Sequence, residues 1–217
     1  MKLYTADLSP FATRVRIALY AKGLSDVELA PPPGGLKSPE YLAMNPMGKM
    51  PALQLDDGTV IPESEIILEY LEDAFPGAPL RPASAEDRAR ARLISRMIDL
   101  YLMVPGLSLF GQMNPATRDQ AAVDAAVAKI RDSLAHIEAF MGPGPFAIAA
   151  DFTTADCALA SALFFMGVFG QVFATGDLLA GHPKLTAYWT HAQSHPAVAK
   201  GVAEMQKALA ERMGGGR

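Results

Sequence analysis

The spacing of apolar residues changes about one third of the way along the chain. Up to residue 80, short segments alternate apolar and polar residues as half-buried β-strands do, at residues 2–5, 27–30, 52–55 and 59–61. Beyond residue 85 that alternation disappears, and long apolar stripes at helical spacing replace it. The pattern therefore predicts an α/β unit followed by an all-helical unit.

Residues typical of helix starts and turns divide the first unit into its predicted strands and helices. Ser9-Pro10 places a side-chain oxygen at an N-cap and a proline at the first helical position, and Gly23 suits the end of that helix. A short helical turn is expected from Ser38-Pro39, and a longer helix begins at Ser64. The Asp-Asp-Gly sequence at residues 56–58 is a hairpin signal between the last two strands. The predicted order is β-α-β-α-β-β-α, with the first two strands parallel and joined by a right-handed crossover.

A proline-rich stretch at residues 76–82 marks the boundary, so the predicted domains span residues 1–78 and 85–213. The first long helix of the second domain is expected to bury one apolar stripe, made of Ala89, Leu93, Met97, Leu100 and Val104. A second stripe runs from Val123 to Met141.

A third helix of the second domain begins with Thr153 and Asp156, which are spaced as a capping box. Residues 155–165 are apolar on nearly all sides, which predicts the buried centre of a helical bundle. Shorter helices at about residues 185–193 and 197–211 complete the bundle, and residues 214–217 are expected to form a frayed tail.

Composition narrows the class of protein. Half of the 217 residues are hydrophobic, and the net charge of −4 comes with dispersed positive charges, which argues against a nucleic-acid partner. The apolar run at residues 158–165 is too short to span a bilayer, and no signal-peptide core is found at the N-terminus. One cysteine, Cys157, excludes a disulfide framework and a Cys-rich metal site, and the four histidines lack metal-ligand spacing. We expect a soluble cytoplasmic protein with no metal, nucleic-acid or membrane partner.

Several segments, in this order, resemble the cytosolic glutathione transferase superfamily. They are residues 9–19 (SPFATRVRIAL), similar to the serine-type active-site helix of the tau and zeta classes, residues 45–53 (NPMGKMPAL), residues 63–71 (ESEIILEYL), residues 152–156 (FTTAD) and the His-Pro pairs at 182 and 195. The resemblance covers essentially the whole chain. It implies a thioredoxin-like N-terminal domain, an all-α helical-bundle C-terminal domain, and a cytoplasmic homodimer that acts in detoxification.

The resemblance makes Ser9 the catalytic residue. A thiol with a pKa of about 8.5 is mostly protonated at neutral pH, and a hydroxyl that donates a hydrogen bond to the sulfur of glutathione stabilises the thiolate. The positive end of the helix dipole beside Ser9 acts in the same direction. From the residues alone, a plain N-cap worth about 1 kcal/mol explains Ser9 equally well. Thr13 and Tyr4 are alternative hydroxyls, and a structural role is favoured for both.

The resemblance also implies a binding site for glutathione as co-substrate. The Met50-Pro51 bond is expected to be cis, with the Met50 backbone pairing with the tripeptide like an added strand. Ser64 is expected to bind the γ-glutamyl carboxylate, and Glu63 the α-ammonium group. The other expected residues are Phe11 as a wall of the site and Lys49, or less favoured Lys37, at the glycyl carboxylate. Each also has a structural explanation, as a turn proline, a helix start or a surface lysine.

A small hydrophobic electrophile is expected at the first long helix of the second domain. Tyr101, Val104 and Phe110 are its candidate pocket residues, and an ordinary core role is the favoured alternative for them.

Departures from the family pattern narrow the function. Relatives that perform disulfide chemistry carry cysteine at the position of Ser9, so chemistry by a protein thiol is disfavoured. Zeta-like isomerases share residues 14–19 but carry Ser-Ser-Cys in place of Ser9-Pro10-Phe11, which leaves isomerisation as a lesser alternative. The predicted function is conjugation of glutathione to small apolar electrophiles, or reduction of peroxides with glutathione. A non-catalytic ligand-binding or protein-interaction module of the same fold is the alternative from another class.

Overall fold

The computed structural model describes residues 1–214; residues 215–217, part of the predicted frayed tail, lie outside the described residues. The strands are β1 (Lys2–Tyr4), β2 (Glu28–Ala30), β3 (Ala52–Gln54) and β4 (Val60–Pro62). The helices of the described chain are α1 (Pro10–Ala21), α2 (Pro39–Met44), α3 (Ser64–Ala74), α4 (Ala85–Met97), α5 (Met103–Phe110), α6 (Gln120–Phe140), α7 (Thr154–Val172), α8 (Pro183–Ala192) and α9 (Pro196–Gly214), with a π-helical segment at Ile98–Leu102 between α4 and α5.

The four strands form one mixed sheet in the order β2-β1-β3-β4. β1 is parallel to β2 and antiparallel to β3, and β3 is antiparallel to β4 across the predicted hairpin. The parallel pair is connected through α1, and every strand and helix predicted before residue 80 is present. The predicted fold class is confirmed: an α/β unit of the order β-α-β-α-β-β-α is followed by helices only.

The chain divides into two compact units. The first contains Met1–Arg81 together with the chain from His195 onward, and the second is Pro82–Ser194. α9 therefore belongs to the first unit, where it packs along α1 so closely that a Cβ on Gly201 would lie 2.8 Å from Cγ1 of Ile17. We expected this helix to complete the helical domain up to residue 213, and that assignment is corrected. Helical spacing shows that a helix has an apolar face, but not which neighbour covers it.

A buried carboxylate fixes the segment that follows α3. Glu72 accepts hydrogen bonds from the backbone N–H groups of Leu80 and Arg81 and from Nζ of Lys22, which is 2.8 Å away. Lys22 also donates to the carbonyls of Gly77 and Ala78. Lys22 follows α1 and Glu72 lies in α3. This buried ion pair therefore joins both helices to the stretch at residues 77–81, the last part of the chain before the second unit.

The first long helix of the second unit buries a different face from the one predicted. Its core residues are Ala91, Ile94, Ile98 and Leu102, none more than 2% exposed. Of the predicted stripe only Met97 is buried; Ala89, Leu93, Leu100 and Val104 are exposed. Two apolar stripes run along this helix, and packing against α6 and α7 selects between them. The π-helical segment further shifts the positions that follow it.

The other two long helices of the second unit follow the sequence pattern. α6 buries the predicted stripe of Val123, Val127, Ile130, Leu134 and Ile137. α7 continues past the predicted end at residue 165 and is buried over most of its length, including all residues from 155 to 166. α7 is therefore the central helix of this unit, as predicted.

The capping box of α7 is the buried polar centre of the second unit. The Asp156 carboxylate accepts hydrogen bonds from the backbone N–H groups of Thr153 and Ala147, at 2.7 and 2.8 Å, and from the Thr153 hydroxyl. Complete burial raises the pKa of Asp156 to about 6, although these hydrogen bonds oppose the shift. Asp156 thus anchors both the start of α7 and the loop before it.

Two helical stretches of the described chain have the length and composition to cross a membrane, Ala85–Phe110 with 26 residues and Thr154–Val172 with 19. The short run at residues 158–165 therefore does not represent the whole apolar length of α7. Of their most apolar windows, 50% and 78% respectively lie buried inside the protein, as in the core helices of soluble proteins. Two such helices are weak evidence for a membrane location.

Replacing Asp156 with Asn should change how stability depends on pH. A carboxyl group whose pKa is higher in the folded state favours folding in its protonated form. Its contribution is present below about pH 4 and is lost as the pH rises through about 6. We expect the stability advantage of the wild type over Asp156→Asn to shrink by up to about 3 kcal/mol between pH 4 and pH 7. Urea denaturation at several pH values measures it.

Asp119→Asn is the matched control, because Asp119 caps α6 from an exposed position by accepting the N–H of Ala122. An advantage of the wild type over Asp156→Asn that grows from pH 4 to pH 7 would contradict the assignment.

Candidate functional site

The register of the sheet gathers three of the predicted ligand-binding segments at one edge. Tyr4, the last residue of β1, lies opposite Ala52 of β3, and Ala52 lies opposite Pro62, the last residue of β4. The loop to Ser9 continues from Tyr4, the Met50-Pro51 bond precedes Ala52, and Glu63-Ser64 follows Pro62. All three segments therefore leave the sheet at the same end.

Ser9 is the N-cap of α1. Its side-chain oxygen accepts a hydrogen bond from the Ala12 N–H at 3.2 Å, and its side chain is half-buried. A serine hydroxyl that accepts one hydrogen bond still has its own hydrogen to donate. Ser9 can therefore cap the helix and donate to a ligand at the same time, so its two interpretations are compatible.

The two alternative hydroxyls have partners inside the first unit. The Tyr4 hydroxyl donates to Oε1 of Gln54 at 2.9 Å. The fully buried Thr13 hydroxyl accepts from the Arg16 guanidinium at 2.9 Å and lies 3.5 Å from the Asp7 carbonyl. These contacts give both hydroxyls structural roles, as the sequence favoured.

The loop before β3 is built around the carbonyl of Lys49. This carbonyl accepts hydrogen bonds from the Tyr41 hydroxyl at 2.7 Å and from Nδ2 of Asn45 at 2.8 Å. The next peptide bond, Met50-Pro51, is cis, which confirms the expectation. Met50 is half-buried and Pro51 is buried, so the loop is held from its inner side.

The two candidate lysines lie near the same loop. A Cβ on Gly48 would lie 2.7 Å from the Leu36 carbonyl and 2.9 Å from Nζ of Lys37. Glycine at position 48, with φ +57°, therefore permits the segment of Lys37 to approach the loop that carries Lys49. Both lysine side chains are exposed, so their positive charges can serve an anion from solvent.

The start of α3 is strained and has no side-chain cap. Glu63 holds a positive φ of 69°, which costs on the order of 1–3 kcal/mol for a residue other than glycine, and it makes no capping hydrogen bond. The first N–H groups of a helix are ready donors for an anion, and the helix dipole adds to their positive potential. Ser64, only 5% exposed, is the first residue of this helix.

Arg14 supports the start of α3 from within α1. Its Nη1 atom lies 3.2 Å from both Oγ of Ser64 and Oε2 of Glu65, and the side chain is 1% exposed. The guanidinium also lies 5.6 Å from the centre of the Phe11 ring. The Ser64 oxygen accepts from Arg14, so the Ser64 hydrogen remains available to a ligand. Sequence reasoning missed Arg14; its signal was a charged residue at a core position of an apolar helix.

The three candidate pocket residues of the second unit differ in their surroundings. Tyr101 and Val104 are each 58% exposed, whereas Phe110 packs edge-on against Phe165 and Phe169, with ring centres 5.2 Å apart in both pairs. Phe110 therefore has a core role in its own unit. Within residues 1–214 no group of three or more His, Cys, Asp and Glu side chains is arranged to hold a metal ion.

Comparisons with known proteins agree with this architecture. The glutathione S-transferase N-terminal domain matches residues 3–79, and the C-terminal domain of the same family matches residues 120–189. A maleylacetoacetate isomerase from Pseudomonas aeruginosa is 31% identical over 211 residues, which cover 91% of this chain and 96% of that protein.

Solved structures extend the likeness over almost the whole chain. A glutathione transferase from Populus trichocarpa is 26% identical with a TM-score of 0.79, covering 94% of this chain and 98% of its own. A glutathione S-transferase from Methylobacterium radiotolerans, in complex with glutathione sulfonate, is 28% identical with a TM-score of 0.77 and 93% coverage of each chain.

This chain belongs to the cytosolic glutathione transferase superfamily. The relatives named here are enzymes, and the family places this chain among enzymes too.

Replacing Arg14 with methionine should destabilise the protein by about 1–3 kcal/mol, because Glu65 and Ser64 lose a buried partner while Glu65 keeps some solvent. Urea denaturation measures the change. Arg90→Met is the control, since Arg90 pairs with Asp87 at the surface and its loss should cost less than about 0.5 kcal/mol. Equal losses in the two variants would mean that Arg14 does not anchor α3.

Proposed function

We propose that this chain is a glutathione transferase that uses the Ser9 hydroxyl to stabilise the thiolate of glutathione. The observation that carries the proposal is the convergence of Ser9, the Met50-Pro51 segment and the uncapped start of α3 at one edge of the sheet. The structure of the relative in complex with glutathione sulfonate supports a glutathione ligand for this fold.

The tripeptide has a matching group for each of its ends in this proposal. The γ-glutamyl carboxylate binds the N–H groups at the start of α3 and the Ser64 hydroxyl, with the charge of Arg14 behind it. Glu63 accepts from the α-ammonium group. The cysteinyl backbone pairs with Met50 like an added strand, and Lys49, with Lys37 near the same loop, attracts the glycyl carboxylate.

Ser9 then acts on the sulfur. Its hydroxyl donates a hydrogen bond to the thiolate, and the N-terminus of α1 adds a positive potential. The thiol proton leaves to solvent, the thiolate attacks the electrophilic carbon, and a C–S bond forms while the leaving group departs with its electron pair. We propose a small apolar electrophile, for which Tyr101 and Val104 remain candidate contacts, whereas Phe110 packs against Phe165 and Phe169 in its own unit.

Reduction of a peroxide uses the same thiolate. The sulfur attacks one peroxide oxygen, the O–O bond breaks, and the other oxygen leaves and takes up a proton to give an alcohol or water. A second glutathione then converts the resulting sulfenic acid to the disulfide with release of water. Conjugation and peroxide reduction therefore both require Ser9, and a direct comparison of substrates separates them.

Isomerisation is a second candidate, favoured by the 31% identity to the Pseudomonas aeruginosa maleylacetoacetate isomerase. In such a reaction a thiolate adds to a conjugated double bond, the bond rotates, and the thiolate leaves again, so glutathione is not consumed. An assay of glutathione consumption against substrate conversion distinguishes the two functions. A cytoplasmic homodimer is part of the proposal through the family, and light scattering on the purified protein tests the dimer.

Replacing Ser9 with alanine should raise the pKa of enzyme-bound glutathione by about 1–2 units, because a hydrogen bond to a charged acceptor is worth about 1.5–3 kcal/mol. The thiolate absorbance of the binary complex, followed against pH, gives this pKa. Turnover of an aryl halide should fall in parallel at neutral pH.

Ser84→Ala is the matched control. Ser84 is the N-cap of α4 in the second unit and accepts the N–H of Asp87, so its loss removes a cap without touching the proposed glutathione site. A bound-thiol pKa that is the same in the wild type and in Ser9→Ala would reject the role of Ser9. Glutathione binding without conversion of any aryl halide, peroxide or dienoate substrate would favour the non-catalytic module.

A further inference from the structure

The loop that carries Ser9 is held by one buried side chain. Arg16 lies in α1 and is fully buried. Its Nη1 donates to Oγ1 of Thr5 at 3.1 Å and to Oδ1 of Asp7 at 2.9 Å, and its Nη2 donates to the Asp7 carbonyl at 3.2 Å. A single guanidinium thus binds the loop between β1 and Ser9 at three atoms.

The same guanidinium is fixed to α1 and to α9. Nη2 also donates to the Thr13 hydroxyl at 2.9 Å, and Nε lies 3.1 Å from Oε2 of Glu204. The other oxygen of Glu204 accepts from the Tyr20 hydroxyl at 2.7 Å. Residues from the β1–α1 loop, from α1 and from α9 therefore share one ion-pair network.

Two carboxylates lie against the single positive charge of Arg16. A buried guanidinium is stable only when anions and acceptors surround it, and here Asp7 and Glu204 supply the negative charge. Asp7 is 60% exposed, so it has little packing of its own, and its contact with Arg16 is the main restraint visible on that side chain.

We propose that Arg16 is a positioning residue for Ser9, and that Glu204 of the last helix completes this function by holding Arg16 in place. Asp7 is the point of attachment, two residues before Ser9. The inference rests on the proposed function, because it concerns how Ser9 is aimed at the sulfur. In this proposal α9 supports the glutathione site through Glu204, although the helix itself makes no contact with the ligand.

The physical reason is the steep dependence of hydrogen bonding on geometry. The Ser9 hydroxyl must donate to the sulfur while its oxygen stays at the N-cap of α1. A loop that moves on the ångström scale loses this alignment, and such displacements can lower a rate by up to about 100-fold. Arg16 removes that freedom by binding both the backbone and the side chain of Asp7.

Two variants of Asp7 test the proposal, because loss of its charge and loss of its contact with Arg16 should shift the pKa of bound glutathione in opposite directions. Removing the negative charge of Asp7, two residues before Ser9, would by itself favour the thiolate and lower the pKa of the bound thiol. Asp7→Ala also removes one of the three contacts by which Arg16 holds the loop, the one to Oδ1 of Asp7, so we expect the pKa of bound glutathione to rise by about 0.5–1 unit, with a fall in kcat of about 10-fold. Asp7→Asn keeps an oxygen that accepts from Arg16, so its bound-thiol pKa should be no higher than that of the wild type.

Two further variants separate positioning from stability. Arg16→Lys keeps the charge, but one ammonium group cannot reach the loop, Thr13 and Glu204 together, so the bound-thiol pKa should rise. Tyr188→Phe removes a buried hydroxyl of the second unit, which donates to the Asp156 carbonyl, and no contact of the Arg16 network, so it should lower stability without moving the thiol pKa. Circular dichroism and urea denaturation of each purified variant show that the comparison uses folded protein.

The outcomes are distinct. A bound-thiol pKa in Asp7→Ala that is unchanged or lower overturns the proposal, as does an equal rise in Asp7→Asn or in Tyr188→Phe. If the proposed function itself is wrong, the wild type will show no depressed thiol pKa in the presence of glutathione. That result precedes and is independent of any comparison among the variants.

Discussion

Two positive charges buried inside the first helix determine how the first unit is assembled. Arg14 and Arg16 point into the protein, and a buried charge is costly unless partners surround it. Arg14 contacts Ser64 and Glu65 at the start of α3. Arg16 contacts the β1–α1 loop and Glu204 of α9. The requirement to satisfy these charges joins α1 to two of the three segments of the candidate site, the loop before Ser9 and the start of α3.

The sheet positions the three candidate segments, and the residues proposed to bind glutathione lie in the loops and helix starts next to its strands. Pairing of Tyr4, Ala52 and Pro62 across three strands brings the three candidate segments to one edge, and each segment then departs from regular structure. Pro51 follows a cis bond, Glu63 has a positive φ, and α3 starts without a side-chain cap. A strained residue and a helix start without a side-chain cap reduce stability, and their concentration at one edge is typical of a binding site.

The relatives of this chain include enzymes named for different reactions, an isomerase and transferases. Under the proposed function, one stabilised thiolate is the nucleophile for addition to a double bond, for displacement at carbon and for attack on a peroxide. The first unit would then supply what these reactions share. The residues proposed for the electrophile have no regular spacing, and their surroundings differ as widely as those of exposed Tyr101 and packed Phe110.

By itself, the sequence determined the features that depend only on residues close together in the chain. Helix caps at Ser9, Ser38 and Thr153, the Asp-Gly hairpin and the periodic stripes of α6 and α7 act within a few residues, so local chemistry is sufficient to predict them. The family resemblance added the cis bond before Pro51. Only the tertiary structure decided which apolar face of the first long helix is buried, that α9 packs on α1, and what Arg14 and Arg16 bind. Those outcomes depend on contacts between residues far apart in the chain, which no local pattern records.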